Sequence, residues 1–177
     1  MTNFVYIAAS LDGFIADPEG GIEWLNELPN PEGSDFGWSE FLSGIDAILM
    51  GRKTFEKVLS FESWPYQLPV FVLSTSLQGI PASLIGKVEI IRDTPREVIE
   101  LLHSRGFQNL YIDGGNTVQG FLAADLIDEL IITRIPILLG KGIPLFGELE
   151  ARLRFVHQGT NIFDNGLVQS RYQRSLK

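Results

Sequence analysis

At 177 residues the chain has the length of one domain, enough to bury a sizeable core and too short for the two full domains of larger dehydrogenases. It is 45% hydrophobic and 20% charged with no apolar run of bilayer-crossing length, and its formal charge of −8 opposes the clustered cations that nucleic acid binding needs. With no cysteine and only His103 and His157, neither a disulfide, a thiolate nucleophile nor a Cys- or multi-His metal site is expected, so redox chemistry needs an organic carrier.

The N-terminus lacks the basic region and long apolar stretch of a secretory signal, which predicts a cytoplasmic protein. Residues 4–9 form a short apolar, β-prone run that stops at Ser10-Leu11-Asp12-Gly13 and reads as a buried first strand. Residues 17–37 are rich in Pro, Gly, Asn and acids yet carry Trp24, Leu25 and Leu28, the pattern of a long ordered loop with a function. Helical spacing over residues 35–42 puts Trp38, Phe41 and Leu42 on one face, and residues 45–50 then read as a buried strand that exits at Gly51. A short helix is expected over 54–60 and strands over 70–74 and 88–91. Thr94-Pro95-Arg96-Glu97 opens a helix to about Arg105, with Gly106 past its end. Residues 110–112 lead as a strand into Asp113-Gly114-Gly115-Asn116 and a helix over 117–124, followed by a strand within 127–135. Strand-like residues 154–162 and 167–174 are joined by Phe163-Asp164-Asn165-Gly166, a hairpin signal. Alternating β and α units predict an α/β domain over residues 1–177. Its sheet is mostly parallel, with helices on both faces and an antiparallel C-terminal edge.

The segment Met50-Gly51-Arg52-Lys53-Thr54 ends a buried strand on glycine and follows it with cations and a hydroxyl where a helix begins. Free N–H groups and the helix dipole favour an anion there, glycine permits close approach, and Arg52 can fork onto a phosphate. Residue types alone leave a second reading open, an exposed basic helix start capped by Thr54. Ser74-Thr75-Ser76 sits beyond a strand end, where ligands of open α/β sheets lie, and Asp113-Gly114-Gly115-Asn116 makes a further strand-to-helix turn. Either could be an ordinary cap or turn. No G-x-G-x-x-G follows the first strand, so the usual Rossmann fingerprint is absent.

These segments together resemble the dihydrofolate reductases, and more closely the reductase domain of bacterial riboflavin biosynthesis and its stand-alone relatives. The resemblance spans nearly the whole chain. It rests on Ala9-Ser10-Leu11-Asp12-Gly13-Phe14-Ile15-Ala16, on residues 46–56, 72–76 and 112–116, and on Pro136-Ile137-Leu138-Leu139-Gly140-Lys141-Gly142-Ile143-Pro144-Leu145-Phe146. It implies a dihydrofolate-reductase-like three-layer fold and NADPH lying across the strand ends. Gly51, Arg52, Lys53 and Thr54 with Ser74, Thr75 and Ser76 would hold the adenosine side and its 2′-phosphate, and Arg92 could add a cation. Gly114, Gly115, Asn116 and Thr117 would hold the pyrophosphate, with a cis Gly114-Gly115 peptide. Ala9, Ile15 and Ala16 would border the nicotinamide.

The same resemblance suggests Asp35 as the catalytic carboxylate with Thr133 as its partner, and Trp24 and Trp38 as rings stacking on a flat substrate. Asp35 as a helix N-terminal acid and the tryptophans as packing residues are the alternatives. Ser39 stands where an aromatic wall for a pterin is expected, and no arginine is found to grip a glutamate tail. The substrate implied is a ribosylaminopyrimidine or a pterin-like ring, with Lys141 the one obvious cation for a ribosyl phosphate. Dihydrofolate reduction and nucleotide binding without turnover are the competing functions. Residues 131–142 resemble a segment that contributes to a dimer, so a homodimer is expected.

Overall fold

The computed structural model describes residues 1–175. Ten strands and four α-helices follow in the order β1 (Thr2–Ser10), β2 (Phe14–Ala16), α1 (Trp38–Ser43), β3 (Ala47–Gly51), α2 (Arg52–Leu59), β4 (Val70–Leu73), β5 (Val88–Ile91) and α3 (Pro95–Ser104). After these come β6 (Asn109–Asp113), α4 (Gly115–Ala123), β7 (Glu129–Ile135), β8 (Ile143–Pro144), β9 (Phe155–Ile162) and β10 (Val168–Arg174). Eight strands make one sheet in the order β5-β4-β3-β6-β1-β7-β10-β9, and β2 pairs separately with β8. The pairs from β5 to β7 are parallel, while β10 runs antiparallel to both β7 and β9.

Strand β3 shows why the centre of this sheet is uninterrupted by polar residues. Ala47 and Leu49 pack into the cluster beneath α3 and α4, Ile48 and Met50 into the one beneath α1 and α2, and all four are fully buried. A strand covered on both faces reads as a continuous apolar run. Helix α2 buries Phe55 and Val58, each such side chain contributing roughly 1.5–3 kcal/mol. The six residues of α1 are too few to be helical on propensity alone. Its Trp38 and Phe41 are held by rings from the sheet, with Phe41 stacked on Tyr6 at 4.6 Å and Trp38 edge-on to Tyr111 at 5.6 Å.

Helix boundaries shift from the expected ones for identifiable reasons. Helix α1 starts at Trp38 instead of residue 35, because Phe36 and Gly37 adopt left-handed backbone, with φ 55° and 89°. Helices α2 and α4 start two residues earlier than expected, directly at the strand ends. Helix α3 opens as expected on a reciprocal cap, with Thr94 accepting from Glu97 N–H and Glu97 accepting from Thr94 N–H. The β2–β8 pair is an element that the sequence reading lacks, since two- and three-residue strands carry no period. No described helix is long and apolar enough to cross a membrane, and no described cluster of His, Cys, Asp and Glu can hold a metal ion.

Candidate active site

The carboxyl ends of β1, β3, β4 and β6 open into a cleft of about 1020 Å³. Its floor is set by two strand-to-helix turns that interlock. A Cβ on Gly51 would lie 2.5 Å from Thr117 Oγ1, and a Cβ on Gly114 would collide with Thr54 Oγ1. Gly114 also has φ 91° and ψ 139°, a conformation that only glycine adopts cheaply. The N-terminus of α2 is thereby pressed against that of α4, each followed by the hydroxyl that touches the other's glycine.

Neither helix has a side-chain cap, so the first N–H groups of both lack the partner that Thr94 and Glu97 provide for α3. Two uncapped helix starts, two glycines and the adjoining Arg52 and Lys53 form a cradle that fits a dinucleotide's phosphates. Thr54 is not the cap of α2; Gly51 holds that position. Arg52 Nη1 lies 2.8 Å from Glu56 Oε1, a half-exposed i,i+4 pair that leaves its other nitrogens available.

Gly51, Arg52, Lys53, Thr54, Gly114, Gly115, Asn116, Thr117, Ile15 and Ala16 all line this cleft. Ile15 is carried over Gly115, where an added Cβ would lie 2.8 Å from Ile15 Cδ1. Ala9 is not in the wall. It is buried with Val5 in the core under α3 and α4, and Ile7 and Ala8 line the cleft from β1. Ser74, Thr75 and Ser76, just past β4, and Arg92, just past β5, are not among the residues that line the cleft. Ser74 Oγ accepts from the N–H groups of Ser76 (3.2 Å) and Leu77 (3.0 Å), and Arg92 Nη2 donates to the Leu77 carbonyl at 3.0 Å. These groups close a turn. All peptide bonds among the described residues are trans, including Gly114-Gly115, which corrects the cis bond that the resemblance implies.

The expected catalytic pair is not brought together. Asp35 is exposed, and its carboxylate accepts from Gly37 N–H at 3.0 Å and Ser39 N–H at 2.9 Å. The Ser39 hydroxyl, then the Ser39 and Gly37 N–H groups, hold its carboxyl below the usual range, so it stays ionised. It is the helix N-terminal acid. Thr133 is buried and bonded to Gln169, whose Nε2 donates to Thr133 Oγ1 at 3.0 Å and to Tyr6 Oη at 2.9 Å. Neither tryptophan reaches the cleft either. Trp24 is buried against Ile135 and Leu167, and Trp38 is enclosed by Tyr6, Phe41 and Tyr111.

Asp113, quoted in the sequence motif without a role, lines the cleft as well, together with the exposed carboxylates of Glu19 and Glu56. It ends β6 beside the cradle and accepts from Gly114 N–H at 2.8 Å. Burial pushes its carboxyl up to about 6, against the pull of the Tyr111 hydroxyl and the Gly114 N–H. Tyr66 also lines the cleft, and burial together with nearby Asp113 raises its phenol, which therefore remains protonated. A polar residue closing the apolar strand 110–112 was a legible signal for Asp113. Tyr66 lies in an aperiodic stretch that offered none.

Residues 4–169 match the family described as RibD C-terminal domain. The chain belongs to this family. It is 40% identical over 175 residues to the Bacillus subtilis protein YwjB, described as uncharacterized, covering 97% of each. A Shewanella sp. PV-4 crystal structure, of a protein provisionally described as acting in riboflavin biosynthesis, is 46% identical and superposes with a TM-score of 0.96, covering 99% of this chain and all of that one. Dihydrofolate reductase from Enterococcus faecalis, solved with NADP(H), superposes with a TM-score of 0.68 at 18% identity, covering 98% and 96% of the two chains. The chain therefore has the dihydrofolate-reductase-like fold, and family and fold together support a reductase.

Proposed function

We propose that this RibD C-terminal domain protein is an NADPH-dependent reductase of a small unsaturated heterocycle. The observation that carries it is the pair of uncapped helix N-termini locked together through Gly51 and Gly114 at the sheet's carboxyl edge, with a protonatable carboxyl beside them. Residues 114–117 would bind the pyrophosphate through N–H groups, and Arg52 with Lys53 would take the 2′-phosphate. Ile7, Ala8, Ile15 and Ala16 would form the apolar seat of the nicotinamide. Bound there, NADPH supplies a hydride to the acceptor carbon.

The chain's own residues would do the rest. Asp113 in its acid form would hold and release a proton toward the acceptor heteroatom, and Tyr66 would wall the ring. Pro18, Ile22 and Leu25, from the long loop, would shield the site from water. Cofactor titration by fluorescence and NADPH oxidation with pterins and aminopyrimidines test this. Failure to bind NADPH at micromolar concentration would defeat the cofactor reading, whereas tight binding without oxidation of any acceptor would favour a nucleotide-binding module.

A second reading, reduction of a ribosylaminopyrimidine phosphate in riboflavin biosynthesis, is favoured by the family match and the Shewanella relative. Dihydrofolate reduction has less support, because Asp35 is exposed and outside the cleft. We also propose a homodimer. Strand β9 is an open sheet edge carrying no Asp, Glu, Lys, Arg or Pro, with Val156 and Ile162 exposed, and edges of that kind favour pairing with another chain.

A further inference from the structure

Charge is unevenly distributed around the cleft. At the cradle Glu56 is paired with Arg52, and beyond it the wall is made by Pro18, Glu19, Ile22 and Leu25 of the long loop with Phe61 and Tyr66. The cation there is Lys57, whose Nζ lies 3.3 Å from Glu23 Oε1. Glu19 stands exposed on the rim and Asp113 at the base. An acceptor entering this part meets Glu19 and Asp113, and the lysine there, Lys57, is already paired with Glu23, which stands outside the wall.

Seats for a phosphate or carboxylate tail are equally scarce. A protein supplies these with forked guanidinium groups or helix N-termini. The starts of α2 and α4 make up the cradle assigned to the cofactor, that of α1 is occupied by the Asp35 carboxylate, and that of α3 is closed by Thr94 and Glu97. Lys141, the cation expected from the sequence to hold a ribosyl phosphate, is exposed and absent from the cleft wall. Arg134 is directed to the Leu11 carbonyl. Flat apolar surface is present instead: Phe61 is 43% exposed on the cleft wall, and Tyr66 is fixed edge-on to Trp64 at 5.5 Å.

Building on the cofactor reading above, we propose that the acceptor is a flat, unsaturated ring without an anionic tail, neutral or weakly basic, stacked on Phe61 and Tyr66. A phosphoribosyl group or a glutamate tail faces Glu19 and finds Lys57 already paired. The discrimination is electrostatic, since like charges facing each other across a binding surface exclude the wrong partner more than they strengthen the right one.

The test is calorimetric titration of the free and the NADP⁺-saturated protein with three probes: 7,8-dihydrobiopterin, dihydrofolate and 5-amino-6-(5-phosphoribosylamino)uracil. The neutral pterin is expected to bind about tenfold or more tightly than either anionic probe. Glu23→Gln, which releases Lys57, is expected to strengthen binding of the phosphorylated pyrimidine about threefold and leave dihydrobiopterin unchanged. Equal or tighter binding of the phosphorylated pyrimidine overturns the proposal, as does failure of all three probes to bind. Absence of NADP⁺ binding overturns the cofactor reading instead, and the ranking of the probes on the free protein then decides the acceptor proposal by itself.

Discussion

Replacing Gly114 by alanine probes the contact that joins the two helix starts. Its φ of 91° and ψ of 139° lie where a non-glycine residue costs on the order of 1–3 kcal/mol. The new Cβ also meets Thr54 Oγ1 and comes within 3.2 Å of Thr54 Cβ. Relieving that collision means moving Thr54 from its rotamer or the β6–α4 turn from its place, at about 1–3 kcal/mol. Together these amount to roughly 2–6 kcal/mol, a large share of the about 5–15 kcal/mol that stabilises a typical domain. Urea unfolding followed by circular dichroism reads the loss directly. Adding Thr54→Ala to Gly114→Ala is expected to remove the hydroxyl collision while leaving the 3.2 Å approach of the two Cβ atoms and the backbone cost, because the dihedral angles are unchanged. A loss below about 0.5 kcal/mol for Gly114→Ala, or full recovery in the double variant, would refute the reasoning.

Arg52→Ala is expected to weaken NADPH binding about tenfold or more, the value of a charge-assisted hydrogen bond, and to change NADH binding little; equal losses for both cofactors would place the 2′-phosphate elsewhere. Stability should move by less than about 0.5 kcal/mol, because the Arg52–Glu56 pair is half exposed. Asp113 predicts a pH dependence. With its carboxyl raised from 3.8 to about 6, the folded chain holds a proton that the unfolded chain has lost, so stability falls as pH rises between about 4 and 6. Above that window the penalty is on the order of 3 kcal/mol, and Asp113→Asn should remove it; parallel stability profiles for the variant and the parent at pH 4.5 and 7.5 would contradict this. Reduction should fade above about pH 6 as the acid form is lost, and Asp113→Asn should lower turnover more than cofactor affinity. Asp35→Ala, by contrast, should cost about 1 kcal/mol through the start of α1 and change turnover less than threefold, as measured by unfolding and steady-state kinetics. Ile162→Lys on the open β9 edge should shift a dimer toward monomer in light scattering.

Local pattern was enough for most of the fold. The apolar run over residues 47–50 reads as a strand covered on both faces, Thr94-Pro95-Arg96-Glu97 as a helix start, and Asn165-Gly166 between strand-like segments as a hairpin. The cradle at Gly51 and Gly114 was legible for the same reason, since a glycine between a buried strand and a helix is a local event. What lies across the sheet was not. Asp35 and Thr133 have suitable spacing in sequence, but the left-handed turn at Phe36 and Gly37 folds the Asp35 carboxylate onto its own helix, and Gln169, 36 residues after Thr133, takes the threonine hydroxyl. Trp24 and Trp38 carry the ring chemistry of a substrate wall, yet packing claims both. Burial is a property of the assembled structure. The same carboxylic acid is an ionised cap at Asp35 and a protonatable group at Asp113, and only tertiary structure, by exposing one and enclosing the other, decides which can serve chemistry.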